Sequence, residues 1–83
     1  MGIEVTEAVG ALIRERRRSL GLTQADLGLR LFCDARQVSR RELGSTAVDV
    51  DWLADVAVVL EVDPAALFYA ALVRSGRLSE PQA

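Results

Sequence analysis

The sequence predicts an all-α domain of five short helices, and three observations carry that reading. Apolar residues recur at helical spacing, as in Leu27 and Leu31 or Val9, Leu12 and Ile13. The stretches they mark open on good capping residues (Thr6, Thr23, Asp34, Asp49 and Asp63) and three of them close on glycine, at Gly21, Gly44 and Gly76. Between Thr23 and Glu42 the run TQADLGLRLFCDARQVSRRE holds two such helices joined by a tight turn.

Met1 to Val5 read as a short leader. Thr6 is expected to cap the first helix, with Glu7 near its positive end and Val9, Leu12, Ile13 and Leu20 as its inner stripe. Arg14, Arg16, Arg17 and Arg18 load its far half, where cations suit the negative end of the helix dipole. In the second helix Asp26, three residues after Thr23, can return the cap bond as a variant of the capping box. Asp34 caps the third, in which Val38 points inward and Arg36, Gln37, Ser39 and Arg40 cover the outward face. Gly44 ends it, and Ser45 to Val48 form a loop. Asp49 caps a fourth helix with Trp52, Leu53, Val56, Ala57 and Leu60 as apolar positions, and Asp51 and Asp55 on its surface. Such carboxylates fit the first turn of a helix better than a metal cluster, and no metal or cofactor is expected. Asp63 followed by Pro64 opens a fifth helix running to about Arg74, with Leu67, Phe68, Ala71 and Leu72 for the core. Tyr69, Val73 and Val58 or Val59 then exceed what one inward stripe absorbs, and an exposed patch of that kind marks a partner interface. The domain is placed at 1–76, with 77–83 as a flexible, frayed tail.

Eighty-three residues suit one small domain that buries about 60–65% of the surface its unfolded chain exposes. A chain 51% hydrophobic and 27% charged is globular rather than disordered. No apolar run approaches the roughly 20 residues of a membrane span, and the N-terminus lacks a signal pattern, so a cytoplasmic protein is expected. The lone Cys33 fits a reducing compartment. Net charge is −2, which taken alone argues against a nucleic-acid partner, but the distribution is lopsided. From Arg14 to Arg41 eight arginines face three acids, whereas from Glu42 to Asp63 there are six acids and no base. One basic face and one acidic face are the footprint of a surface that meets phosphates on one side.

Thr23, Gln24, Leu27, Leu31 and the Ser39-Arg40-Arg41-Glu42 ending followed by Gly44 resemble the helix-turn-helix of the phage-repressor family, which includes lambda and 434 repressor and Cro. The likeness runs without a gap from about Ile13 to Phe68, taking in Leu53, Val56, Ala57, Leu60, Val62 and Leu67. It implies a five-helix lambda-repressor-like domain whose third helix enters the major groove of double-stranded DNA. It also implies that Arg17 pairs with Glu42, tying the first helix to the third, and that Gln24 meets the DNA backbone. Three residues depart from the family: Gly28 replaces alanine at about 1 kcal/mol of helix propensity, Phe32 replaces the turn glycine, and Cys33 a small aliphatic. With Phe32 in that place, either the turn takes another path or a bulky residue accepts positive φ. The loop after Gly44 also lacks the family's basic residue and proline.

With no His, no phosphate-binding glycine loop and no base beside Cys33, an enzyme is not expected. The leading reading is a sequence-specific DNA-binding transcriptional regulator acting as a homodimer. Ala35 and Arg36 would lead the third helix into the groove, Gln37, Ser39 and Arg40 would line it, and Ser45 and Thr46 would meet phosphate. Tyr69, Leu72 and Val73 would form the dimer contact or receive another protein through the fifth helix. The alternative is a protein-interaction module, or an antitoxin-like regulator, that keeps the fold with weak or no DNA binding.

Overall fold

The computed structural model describes residues 3–80, so Met1 and Gly2 of the expected leader and Pro81 to Ala83 of the expected tail lie outside the described residues. Five helices follow one another: α1 (Val5–Ser19), α2 (Gln24–Arg30), α3 (Ala35–Glu42), α4 (Val50–Val59) and α5 (Pro64–Arg74). Helix α1 packs on α3 and α5, α2 on α3, and α4 on α5. Their shared core is built on Ile13, Leu27, Val38, Val56 and Leu60, all fully buried. No single helix among the described residues is long and apolar enough to cross a membrane.

The caps at Thr23, Asp34, Asp49 and Asp63 each accept a backbone N–H of the first helical turn, and Thr23–Asp26 and Asp34–Gln37 are reciprocal capping boxes. Thr6 is not the first cap. Helix α1 starts earlier, at Val5, after an extended Glu4 with no side-chain cap bond. The half-buried Val5 packs against the core, and the Ala8 N–H reaches the Glu4 carbonyl at 3.0 Å, so burial extends the helix past the better capping residue.

All five helices finish alike. A residue in the left-handed region follows the last turn, and the next N–H bonds back to a carbonyl five residues earlier: Leu22 to Arg17, Cys33 to Gly28, Ser45 to Arg40, Val62 to Ala57 and Arg77 to Leu72. Gly21, Gly44 and Gly76 fill three of these positions, but Phe32 (φ 56°) and Glu61 (φ 59°) fill the others. Of the two outcomes open at this position, Phe32 takes the positive φ of a glycine, and the residue is 99% exposed. The same turn explains Gly28. A Cβ there would stand 2.6 Å from the Cys33 carbonyl oxygen, so the apparent propensity cost is the condition for closing this turn. Phe32→Gly is expected to raise stability by about 0.5–1 kcal/mol, the relief of left-handed strain outweighing the added chain entropy. A chemical denaturation curve checks it, and a loss of stability would show a hidden packing function for the ring.

Phe68 is the one expected core residue left largely outside. Leu67 and Ala71, four apart, take the inward line of α5, and Phe68 sits one position off it at 44% exposure. It borders a surface hollow with Val5, Val9, Val48, Val50 and Leu53. Tyr69 is similarly exposed, and Leu72 and Val73 are half-buried. The first tail residues are tied down: Arg77 donates to the Ile3 carbonyl at 2.6 Å, and the Arg77 and Leu78 N–H groups bond the Leu72 carbonyl.

Candidate nucleic-acid interface

Arg36, Gln37 and Arg40 lie on the solvent side of α3, while Val38 and Glu42 on the opposite side are buried and Ala35 and Ser39 are half-buried between them. Residues 36 and 40 are four apart, so their guanidinium groups rise from one helical face, a turn from each other. Ser45 and Thr46 continue that surface into the exposed loop after α3.

What fixes the helix beneath this face is an ion pair. Arg17 Nε donates to Glu42 Oε2 at 2.6 Å and Arg17 Nη2 to Glu42 Oε1 at 3.0 Å, with side-chain exposures of 8% and 1%. Arg17 Nη1 also donates to the Leu22 carbonyl at 2.8 Å, so one guanidinium joins α1, the α1–α2 turn and the last turn of α3. The hydrogen bonds it donates to Glu42 hold the Arg17 guanidinium above its ordinary pKa against the opposing effect of burial, and it stays charged. Gln24 enters the same cluster, its Nε2 donating to Glu42 Oε1 at 3.1 Å. At the other end of α3 the Gln37 carbonyl oxygen accepts the Asp34 N–H at 3.0 Å, which anchors the leading turn.

The arginines so dense in the sequence divide into two sets. Arg17 is in the ion pair, Arg16 Nε donates to the Leu60 carbonyl at the end of α4, and Arg41 lies over the Trp52 ring with 4.7 Å between its guanidinium carbon and the ring centroid. Arg14, Arg18, Arg30, Arg36 and Arg40 are exposed and form no ion pair among the described residues. Of the eight, only the Arg17 charge is offset by an ion pair among the described residues; Arg16 and Arg41 keep theirs but are held by neutral partners, which leaves five of the eight guanidinium groups unconstrained.

Arg41 on Trp52 is the feature the sequence reading passes over. The cation–π contact spans α3 to the first turn of α4, and Arg41 Nε and Trp52 Nε1 are both buried without a hydrogen-bond partner among the described residues. Its only sequence signal is an arginine three residues after the inward Val38, on the flank of the helix that packs.

A family described as a helix-turn-helix domain matches residues 8–67, most of the chain. This chain belongs to it. The helix-turn-helix protein is also similar to solved structures. The clp gene regulator ClgR from Corynebacterium glutamicum superposes with a TM-score of 0.78 at 28% identity, covering 83% of this chain and 90% of that one. A point mutant of the restriction-modification controller protein C.Esp1396I shares the fold, with a TM-score of 0.74 at 24% identity and coverage of 84% and 93%. Bacillus thuringiensis PlcR, solved with the peptide PapR7 and DNA, matches at 32% identity and a TM-score of 0.71; 86% of this chain corresponds to 25% of that one. No curated protein resembles the chain closely enough to count as a match.

Proposed function

We propose that this helix-turn-helix protein is a sequence-specific DNA-binding transcription regulator, a binding protein rather than an enzyme, that reads duplex DNA as a homodimer. The observation that carries the reading is the exposed Arg36–Arg40 face on a helix pinned from behind by the buried Arg17–Glu42 pair. Base reading needs side chains held in register with a groove, and a rigid helix with free guanidinium groups supplies them. Similarity to a gene regulator and to a protein solved with DNA supports the same reading.

Arg36 and Arg40 are assigned to guanine edges or phosphates, with Ala35 and Ser39 packed against the groove wall. Gln37 uses its carbonyl in the capping box, which leaves two amide donors; those suit phosphate better than the paired donor and acceptor that adenine requires. Gln24 likewise gives one N–H to Glu42 and keeps another for the DNA backbone. Ser45 and Thr46 complete the phosphate contacts. The dimer contact is assigned to α5 through Tyr69, Leu72 and Val73, beside an open hollow that Tyr69 and Val73 share with Ala70, Arg74 and Glu80.

Selection of sites from a random duplex pool tests the reading. A dimer should select an approximate palindrome with half-sites about 34 Å apart. Arg36→Ala and Arg40→Ala should each weaken the selected site by about 1–2 kcal/mol and relax one base position; a phosphate-only contact would weaken all sequences alike and lower the salt slope by about one. Val73→Asp should leave the protein folded but monomeric by sedimentation. A folded protein that selects no site at low salt would sink the DNA reading and leave a protein-interaction module.

A further inference from the structure

Phe32 is in the wrong place for the fold's own needs. Its backbone occupies the left-handed region, where the other helix ends use glycine or a solvated Glu61, and its ring makes almost no contact with the rest of the chain. An aromatic side chain gains nothing from that position in an isolated protomer, and strain of this kind is kept where something outside compensates it. The ring stands at a surface hollow formed with Arg30, Leu31, Asp55, Val58 and Val59, of which Val58 is 76% exposed. Two charges border the hollow, Arg30 from α2 and Asp55 from α4, and neither has an ion-pair partner among the described residues.

We infer that this patch is a contact between two copies of the chain, each inserting Phe32 over the Leu31–Val58–Val59 hollow of the other. The charges select a second copy. A patch with one cation and one anion complements itself under a two-fold axis, which brings each Arg30 to the other copy's Asp55. A surface for a strongly acidic or basic partner would carry one sign. The contact is small. Two aromatic rings at about 150–250 Å² each, with their hollows, fall short of the roughly 1,200–2,000 Å² of a stable free interface. The association it supports is therefore weak and concentration-dependent, and it is separate from both the α5 contact and the Arg36–Arg40 face.

Backbone NMR of the whole chain over a dilution series, without DNA, tests the inference. In wild type the amide signals of Phe32, Val58 and their neighbours should move with concentration. Phe32→Gly, a variant expected to be at least as stable, should weaken this association by about tenfold or more. Arg30→Asp and Asp55→Arg should each abolish it, and the double charge swap should restore it. Repeating the series in Val73→Asp separates this step from dimerisation through α5. Signals that do not move with concentration, as expected of a patch serving a different protein, would overturn the inference. So would movement that Phe32→Gly leaves unchanged, or a double charge swap that fails to restore association.

Discussion

Replacing Arg17 or Glu42 with alanine is expected to lower stability by about 3 kcal/mol in each case. Both side chains lie inside, and each satisfies the other with two hydrogen bonds, so removing one strands the other as a buried charge. The loss from breaking a buried pair is about 3–5 kcal/mol; the lower figure applies because Gln24 and the Leu22 carbonyl remain as partial partners. The Arg17→Ala, Glu42→Ala double variant should lose clearly less than the sum of the singles, since it leaves no orphaned charge. Denaturant melts of the wild type and three variants measure the coupling. Additive losses below 1 kcal/mol would mean that the pair does not carry α1 and α3 together. By contrast, the Arg74–Glu15 bridge at 2.6 Å is solvent-exposed on both sides, and its removal should be nearly silent.

What the sequence makes legible here is local. A cap needs only a short polar side chain and the N–H two or three residues on, so Thr23, Asp34, Asp49 and Asp63 announce their helices without reference to the rest of the fold. Thr6 misleads because a tertiary effect, burial of Val5, overrides the local one. Phe68 misleads in the same way: with Leu67 and Ala71 defining the inner line of α5, an aromatic one residue along falls at the rim. Gly28 shows the limit most directly. Propensity counts it as a defect, and only the path of the chain through Phe32 and Cys33 reveals the carbonyl that a methyl group would strike.

The candidate interface divides along the same line. The outward positions of α3 follow from helical spacing around Val38, and spacing alone places Arg36 and Arg40 side by side. Which arginines remain free does not. Arg16, Arg17 and Arg41 look no different from Arg14, Arg18 and Arg36 in a linear charge count, yet the first three are taken by Leu60, Glu42 and Trp52. Trp52 is eleven residues beyond Arg41 across a loop, and no periodicity links them.

Gly10→Ala should lower stability by about 2 kcal/mol, although alanine is the better helix former. Gly10 is buried in the middle of α1 where the helix crosses the end of α3. A Cβ at this position would lie 2.3 Å from the Arg41 carbonyl oxygen and 2.6 Å from that of Glu42. These are backbone atoms in the last turn of a helix, so no side chain can rotate to make room. Seven residues along α1, on the same face, Arg17 holds the Glu42 side chain, and so α3 cannot retreat without stretching the ion pair. Overpacking of this kind costs about 1–3 kcal/mol and occasionally more, here at the upper end, against a propensity gain of about 1 kcal/mol. The two sites act on one contact, so Gly10→Ala and Arg17→Ala together should cost less than their sum. Urea unfolding of the single and double variants decides the matter. If Gly10→Ala proves neutral or stabilising, helix propensity outweighs the crossing, and α1 and α3 do not approach as closely as the glycine requires.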